Sequence, residues 1–251
     1  MMSVPQFIIG GAPRSGTTWL YALLDRHPQI YMAKPPKPEP KFFLVDNLYE
    51  RGFPYYLETW FGHVGPGMIA GEKSTNYLEG ANVASRIHRY LPDVKLIFIL
   101  REPADRALSN YRWSVMNGLE TEDFASALGM EEKREHSLEP QMRFVRPHAY
   151  FSRGLYAELL KPYFAHFPPE QILCLRYEDL ALDPEMVANR LHGFLKVEPR
   201  PRDVAGLGRI NESQGTAEDA PSAVMAKLRE RYREPNCALA SLLGPEFEVW
   251  N

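Results

Sequence analysis

With 251 residues, 45% hydrophobic and 24% charged, the chain is long enough to bury a sizeable core and excludes a disordered polypeptide. Its formal net charge of −3 argues against a surface that grips nucleic acid or another polyanion over its whole extent, though not against local basic clusters. Cys174 and Cys237 are the only cysteines, too few for a disulfide framework, so a reducing compartment is expected.

The first six residues carry neither a basic stretch nor a long apolar run, and no later segment approaches a membrane span. A cytoplasmic chain with no membrane contact is therefore expected. Residues 6–10 read as a buried central strand, and 17–26 as a helix with Trp19, Leu20, Leu23 and Leu24 at helical spacing. Residues 34–41 contain four prolines, which exclude helix and interior strand and read as a linker or a partner's ligand. A short strand is expected over 68–70 and a helix over 82–91, stopped by Pro92.

The apolar run Lys95–Leu100 is a strong buried strand, and Pro103 opens a helix expected to reach 117 before Gly118. Residues 118–150 read as a mobile lid with a helical piece. A helix over 155–167 that Pro162 could kink, a strand over 172–175 and a helix over 184–195 follow. Residues 198–221 read as a long functional loop, and a last helix over 222–233 is expected to close before Pro235. Alternating strands and helices without internal repeats predict one domain over 1–251. The fold class is α/β, with a central parallel sheet flanked by helices in three layers.

The stretch Phe-Ile-Ile-Gly-Gly-Ala-Pro-Arg-Ser-Gly-Thr-Thr-Trp, residues 7–19, places an apolar strand before a glycine-bearing loop that opens a helix. That layout brings backbone N–H groups and a helix N-terminus to an anion. The spacing from Gly11 to Gly16 matches G-x-x-x-x-G-K-[ST], but Thr17 stands at the lysine position and Arg14 carries the charge within the loop. After the strand 95–100 comes Arg101, where a magnesium-binding acid would stand in a nucleoside triphosphatase. A cation there attracts a second anion, and Ser109, two helical turns on, adds a hydroxyl donor. The bland alternative pairs Arg101 with Glu102 or Asp105.

On these residues the chain resembles sulfotransferases that use 3′-phosphoadenosine 5′-phosphosulfate (PAPS). Residues 14–20, Arg-Ser-Gly-Thr-Thr-Trp-Leu, resemble their 5′-phosphosulfate loop, and residues 100–111 their 3′-phosphate site. The order of segments is closest to the heparan-sulfate (carbohydrate) type. Glu39-Pro-Lys-Phe-Phe43 resembles its Glu-x-His-Phe-Phe, Gly71-Glu-Lys-Ser-Thr75 its Glu-Lys-Thr-Pro, and Arg233-Glu-Pro-Asn236 its His-Glu-Pro-Asn. The likeness spans nearly the whole chain.

The resemblance implies Arg14, Ser15, Gly16, Thr17, Thr18 and Trp19 at the phosphosulfate, Arg101 and Ser109 at the 3′-phosphate, and Lys73 as a cation near the sulfuryl group. It implies Glu39 as the general base that takes the acceptor's proton. Lys41 or Lys37 is expected to orient Glu39 and keep it ionised. The bland reading of Glu39 is a solvated loop acid. Two departures stand out: Lys41 replaces the family's histidine, and Gln214-Gly-Thr216 replaces a basic loop, leaving Gln214 and Gly215 as contacts to the 3′-phosphoadenosine.

Sulfuryl transfer needs no metal, and the seven histidines show no ligand spacing, so none is expected. The product would be adenosine 3′,5′-bisphosphate. His148, Tyr150, Tyr156 and Tyr177 are read as core or hydrogen-bonded residues rather than catalytic ones. Phe42, Phe43, Tyr55, Tyr56, Trp60 and Trp113 are candidates for an acceptor wall, most of them core. The expected partner is a small-molecule, glycoside or carbohydrate acceptor. Neither its identity nor the oligomeric state is written in the sequence. The rival readings are a nucleotide kinase or triphosphatase with a degenerate loop, and a non-catalytic nucleotide-binding scaffold.

Overall fold

The structure is a computed structural model that describes residues 3–208 and 220–250. They fall into two compact units, residues 3–99 with 162–208 and residues 100–161 with 220–250.

The sheet is built on β1 (Phe7–Gly11), and α1 (Thr17–Asp25) follows it. β2 (Ile30–Met32), α2 (Asp46–Tyr49), α3 (Phe53–Phe61) and β3 (Ile69–Lys73) come next. α4 (Val83–Tyr90) leads to β4 (Lys95–Leu100). The strand order is β2-β3-β1-β4-β5, where β5 is Ile172–Arg176. β1 runs parallel to β3 and β4, with Ile9 opposite Lys73 and Ile97, and β2 runs parallel to β3.

Both faces of this sheet are covered, which is why β1 and β4 read as unbroken apolar runs. Phe7, Ile9, Ile97 and Ile99 pack with Leu20 and Leu24 of α1. Val187 and Leu191 of α9 (Pro184–Leu195) join the same core. Side chains alternate along a strand, so Phe98 turns to the other face. There its ring meets Tyr163 of α7 (Tyr156–His166) edge-on at 4.8 Å. α8 (Tyr177–Leu182) follows β5 directly.

In the second unit, α5 (Pro103–Met116) starts where the sequence predicts, and α6 (Phe124–His136) is the helical piece of the 118–150 segment. Glu120 accepts hydrogen bonds from Tyr150 Oη at 2.7 Å and Arg134 Nη1 at 2.5 Å. Glu131 accepts from the backbone N–H groups of Phe151 and Ser152. Through Arg134 and Glu131 these bonds tie the C-terminal half of α6 to the chain around it.

Two sequence expectations are corrected. The last helix, α10 (Ser222–Leu243), runs ten residues beyond its predicted stop and carries Pro235 inside it. Proline removes one intrahelical bond there, but Tyr232, Asn236 and Leu239 continue a buried stripe across it, and Asn236 Nδ2 donates to Trp250 O at 2.8 Å. β3 continues through Glu72 and Lys73 instead of ending at Ala70, because tertiary partners satisfy both polar side chains.

Candidate active site

The loop between β1 and α1 leaves the sheet at its C-terminal edge, next to the tip of β3. Ala12 N donates to Ile99 O at 2.8 Å and Ser74 N to Ile9 O at 3.0 Å, which secures the loop to β4 and to the end of β3. Inside the loop, Arg14 has φ 68° and Gly16 φ 94°. Gly16 is required there: a Cβ would face Tyr177 Cδ2 and Leu180 Cδ2 at 3.1 Å each, in a conformation that L side chains rarely adopt. No side chain caps α1, and no acid stands in its first turn. Its first N–H groups present the positive end of the helix dipole. Ser15 is buried, and its Oγ has no hydrogen-bond partner among the described residues. Thr17 is buried, and Thr18 borders a cavity of about 530 Å³ shared with Tyr21, Asp25, Arg26, Pro36 and Leu207.

At the tip of β3, Glu39 reaches across from the proline-rich segment. Its carboxylate accepts from Lys73 Nζ, from Thr75 Oγ1 at 2.5 Å and from Thr75 N at 3.1 Å. The Lys73 side chain is 5% exposed and that of Glu39 14%, so this is a shielded pair and not a solvated loop acid. Burial pushes the Glu39 carboxyl up. The charge and hydrogen bond of Lys73, the bond from Thr75 and the charge of Lys41 outweigh it and hold the group below the ordinary carboxylate range.

The sequence expected Lys41 or Lys37 to orient Glu39; the direct partners are instead Lys73 and Thr75. Lys41 adds charge, sits at φ 49°, and donates its backbone N–H to Ser74 Oγ at 2.9 Å. The aromatics Phe42, Phe43 and Tyr56 are fully packed, whereas Tyr55, Trp60 and Trp113 keep partial exposure.

In the second unit, Arg101 follows β4, and its carbonyl accepts from Tyr156 Oη at 2.9 Å. The two acids that follow it have partners on α5 and α10. Glu102 caps α5 through Ala104 N and Asp105 N, and Arg229 approaches Glu102 at 3.6 Å and Asp105 at 2.8 Å. Ser109 is buried on α5. His148 bonds to Leu119 O, and Tyr150 and Tyr156 use their hydroxyls on Glu120 and Arg101 O. Gln214 and Gly215 lie outside the described residues.

Sequence reasoning missed Glu72, fully buried between these segments, and Thr75 as the second partner of Glu39. Only the hydroxyl and carboxylate spacing over residues 72–75 could have signalled them.

Residues 4–207 match the sulfotransferase domain family. The bifunctional heparan sulfate N-deacetylase/N-sulfotransferase of Drosophila melanogaster is 30% identical over 215 residues, which cover 78% of this chain but 20% of that protein. Human heparan sulfate glucosamine 3-O-sulfotransferase 6 is 28% identical over 97% of this chain and 73% of its own length. The crystal structure of a sulfotransferase from Alicyclobacillus acidocaldarius superposes with a TM-score of 0.79 at 29% identity, over 96% of each chain. A mouse sulfotransferase complexed with PAP shares the fold, with a TM-score of 0.51 at 17% identity over 95% of this chain and 82% of that one. The chain belongs to the sulfotransferase domain family, related to the carbohydrate sulfotransferases, and sulfate transfer is the reaction of its domain.

Proposed function

We propose that this domain transfers a sulfuryl group from PAPS to a hydroxyl of a carbohydrate, glycoside or small-molecule acceptor, with Glu39 as general base. The observation that carries the reading is the Glu39–Lys73 pair at the tip of β3, the strand next to the one that bears the anion-type loop. Arg14, with the N–H and hydroxyl groups of residues 15–19, is assigned to the 5′-phosphosulfate. Arg101 and Ser109, with Gln214 and Gly215, are assigned to the 3′-phosphoadenosine.

In the reaction the acceptor oxygen bonds to sulfur as the bond from sulfur to the 5′-phosphate oxygen breaks. The acceptor's proton passes to Glu39, and adenosine 3′,5′-bisphosphate leaves. A base held ionised across neutral pH is ready for that proton. Arg14 and Lys73 supply fixed positive charge where oxygen charge develops, so the step is assigned no metal. Lys41 strengthens the positive field around Glu39.

A cytoplasmic location is part of the proposal, supported by the free thiols Cys174 and Cys237. Among the described residues no helix is long and apolar enough to cross a membrane.

Transfer of radiolabelled sulfate from PAPS to heparan-type oligosaccharides and to a set of aryl and alkyl alcohols tests the proposal. Labelled product is expected with the wild type and lost in Glu39→Gln. Equal transfer by the two proteins would remove Glu39 from the role of base, and no transfer to any acceptor would remove the activity.

A further inference from the structure

A second carboxylate lies one residue from Lys73, and it has no place in the chemistry above. Glu72 is fully buried and accepts hydrogen bonds from three hydroxyls. Tyr56 Oη and Tyr77 Oη donate to Oε1 at 2.6 and 3.1 Å, and Ser74 Oγ donates to Oε2 at 2.7 Å. Two of these hydroxyls reach onward to the segment that carries Glu39. Ser74 Oγ accepts the backbone N–H of Lys41 at 2.9 Å, and Tyr77 Oη that of Phe43 at 3.2 Å.

A hydroxyl has one proton to give. While both hydroxyls donate to Glu72, their lone pairs are turned to the two N–H groups. The carboxylate therefore sets the direction of two parallel relays, Glu72–Ser74–Lys41 and Glu72–Tyr77–Phe43. Packed rings brace the same segment: Phe42 stacks on Tyr56 at 4.7 Å, and Phe43 meets Tyr77 at 5.9 Å. Glu39 lies two residues before the first anchored N–H.

We propose that Glu72 is a positioning residue: acting through Ser74 and Tyr77, its ionised carboxylate holds the backbone at Lys41 and Phe43 and so keeps Glu39 seated on Lys73 and Thr75. The inference rests on the reading of Glu39 as the base, but its geometric part stands apart from catalysis. The groups that face Glu72 are Tyr56 from α3, Ser74 and Tyr77 from the chain after β3, and the Glu39 carboxylate from the proline-rich segment.

Burial drives the Glu72 carboxyl up to about 7, against the three hydroxyls and with Glu39 adding to the rise. When Glu72 takes up a proton, one of its oxygens becomes a donor and one hydroxyl must reverse. Where that hydroxyl is Ser74 or Tyr77, its own proton turns away and the relay to Lys41 or Phe43 is no longer held in one direction, so the seat of Glu39 loosens as pH falls through that range.

The test is a carbon-13 carboxyl titration of Glu39 in wild type, Glu72→Gln and Ser74→Ala, with kcat and KM measured on the same proteins. Glu72→Gln keeps the shape but cannot ionise. Ser74→Ala cuts one relay and keeps the carboxylate, so it decides the question if Glu72→Gln fails to fold. In the wild type the Glu39 resonance should show a second inflection near pH 7 as Glu72 ionises. In Glu72→Gln that inflection should vanish, and in Ser74→Ala it should shrink.

The kcat of Glu72→Gln should fall roughly tenfold to a hundredfold at unchanged KM for PAPS, as misplacement of one reacting group predicts. An unaltered Glu39 titration in both variants would overturn the proposal. If the wild type transfers no sulfate, the reading of function fails, while the titration still decides the role of Glu72.

Discussion

Lys73 and Glu39 are bonded directly to each other, although 33 residues separate them and one lies on a strand and the other between two prolines. The pair is shielded and hydrogen-bonded further by Thr75, which distinguishes it from an exposed ion pair of little worth.

Removing the carboxylate should stop chemistry and spare nucleotide binding. Glu39→Gln is expected to lower kcat by about 10² to 10⁴, the range for a lost general base. Its calorimetric affinity for adenosine 3′,5′-bisphosphate should stay within about twofold of wild type.

Removing the cation should act on stability and on pH dependence together. Lys73→Ala strands a largely buried carboxylate, and the cost should be on the order of 3 kcal/mol, read from urea midpoints. Glu39 also loses the partner that holds its pKa down. The acid limb of kcat should therefore move to higher pH in Lys73→Ala, with lower kcat throughout.

The two neighbouring carboxylates should shift stability with pH in opposite senses. The Glu39 pKa is lowered on folding, so its contribution is present above the ordinary carboxylate pKa and is lost as pH falls through the folded value. Glu72 is raised to about 7, so its contribution is present below the ordinary value and is lost as pH rises toward and through 7. Denaturation midpoints at several pH values should show Glu39→Gln converging on wild type in acid. Glu72→Gln should gain on wild type between pH 5 and 8.

The loop should tolerate no side chain at Gly16. Gly16→Ala places a Cβ against Tyr177 and Leu180 in the left-handed region, at a cost of about 1–2 kcal/mol from the backbone alone. Affinity for the bisphosphate should fall with it, measured by calorimetry at a temperature where the variant is still folded.

The sheet was legible where burial on both faces wrote unbroken apolar runs, as in β1 and β4, and α9 was legible through its Pro184 start and periodic Val187 and Leu191. The end of β3 was not, because Glu72 and Lys73 look like loop residues until Tyr56, Tyr77 and Glu39 arrive from elsewhere in the chain. Pro235 looked like a stop for the same reason, since the buried stripe through Tyr232, Asn236 and Leu239 is a tertiary fact. At the site, the loop was legible in its strand, glycine and helix layout, while Glu39 and Lys73 were named from their resemblance to a family. The pairing of Glu39 with Lys73 and Thr75, and not with Lys41 or Lys37, needed the fold. The hydroxyl relays from Glu72 needed it too, because no spacing rule couples Ser74 and Tyr77 to the backbone of Lys41 and Phe43.

Arg101 is the residue on which the identity of the donor turns, and one calorimetric experiment addresses it. Wild type and Arg101→Ala are titrated with adenosine 3′,5′-bisphosphate and, separately, with magnesium-ATP. The wild type should bind the bisphosphate and not magnesium-ATP, and Arg101→Ala should weaken the bisphosphate by about 10- to 150-fold, the loss of a charged hydrogen bond. Binding of magnesium-ATP by the wild type with no binding of the bisphosphate would contradict the account.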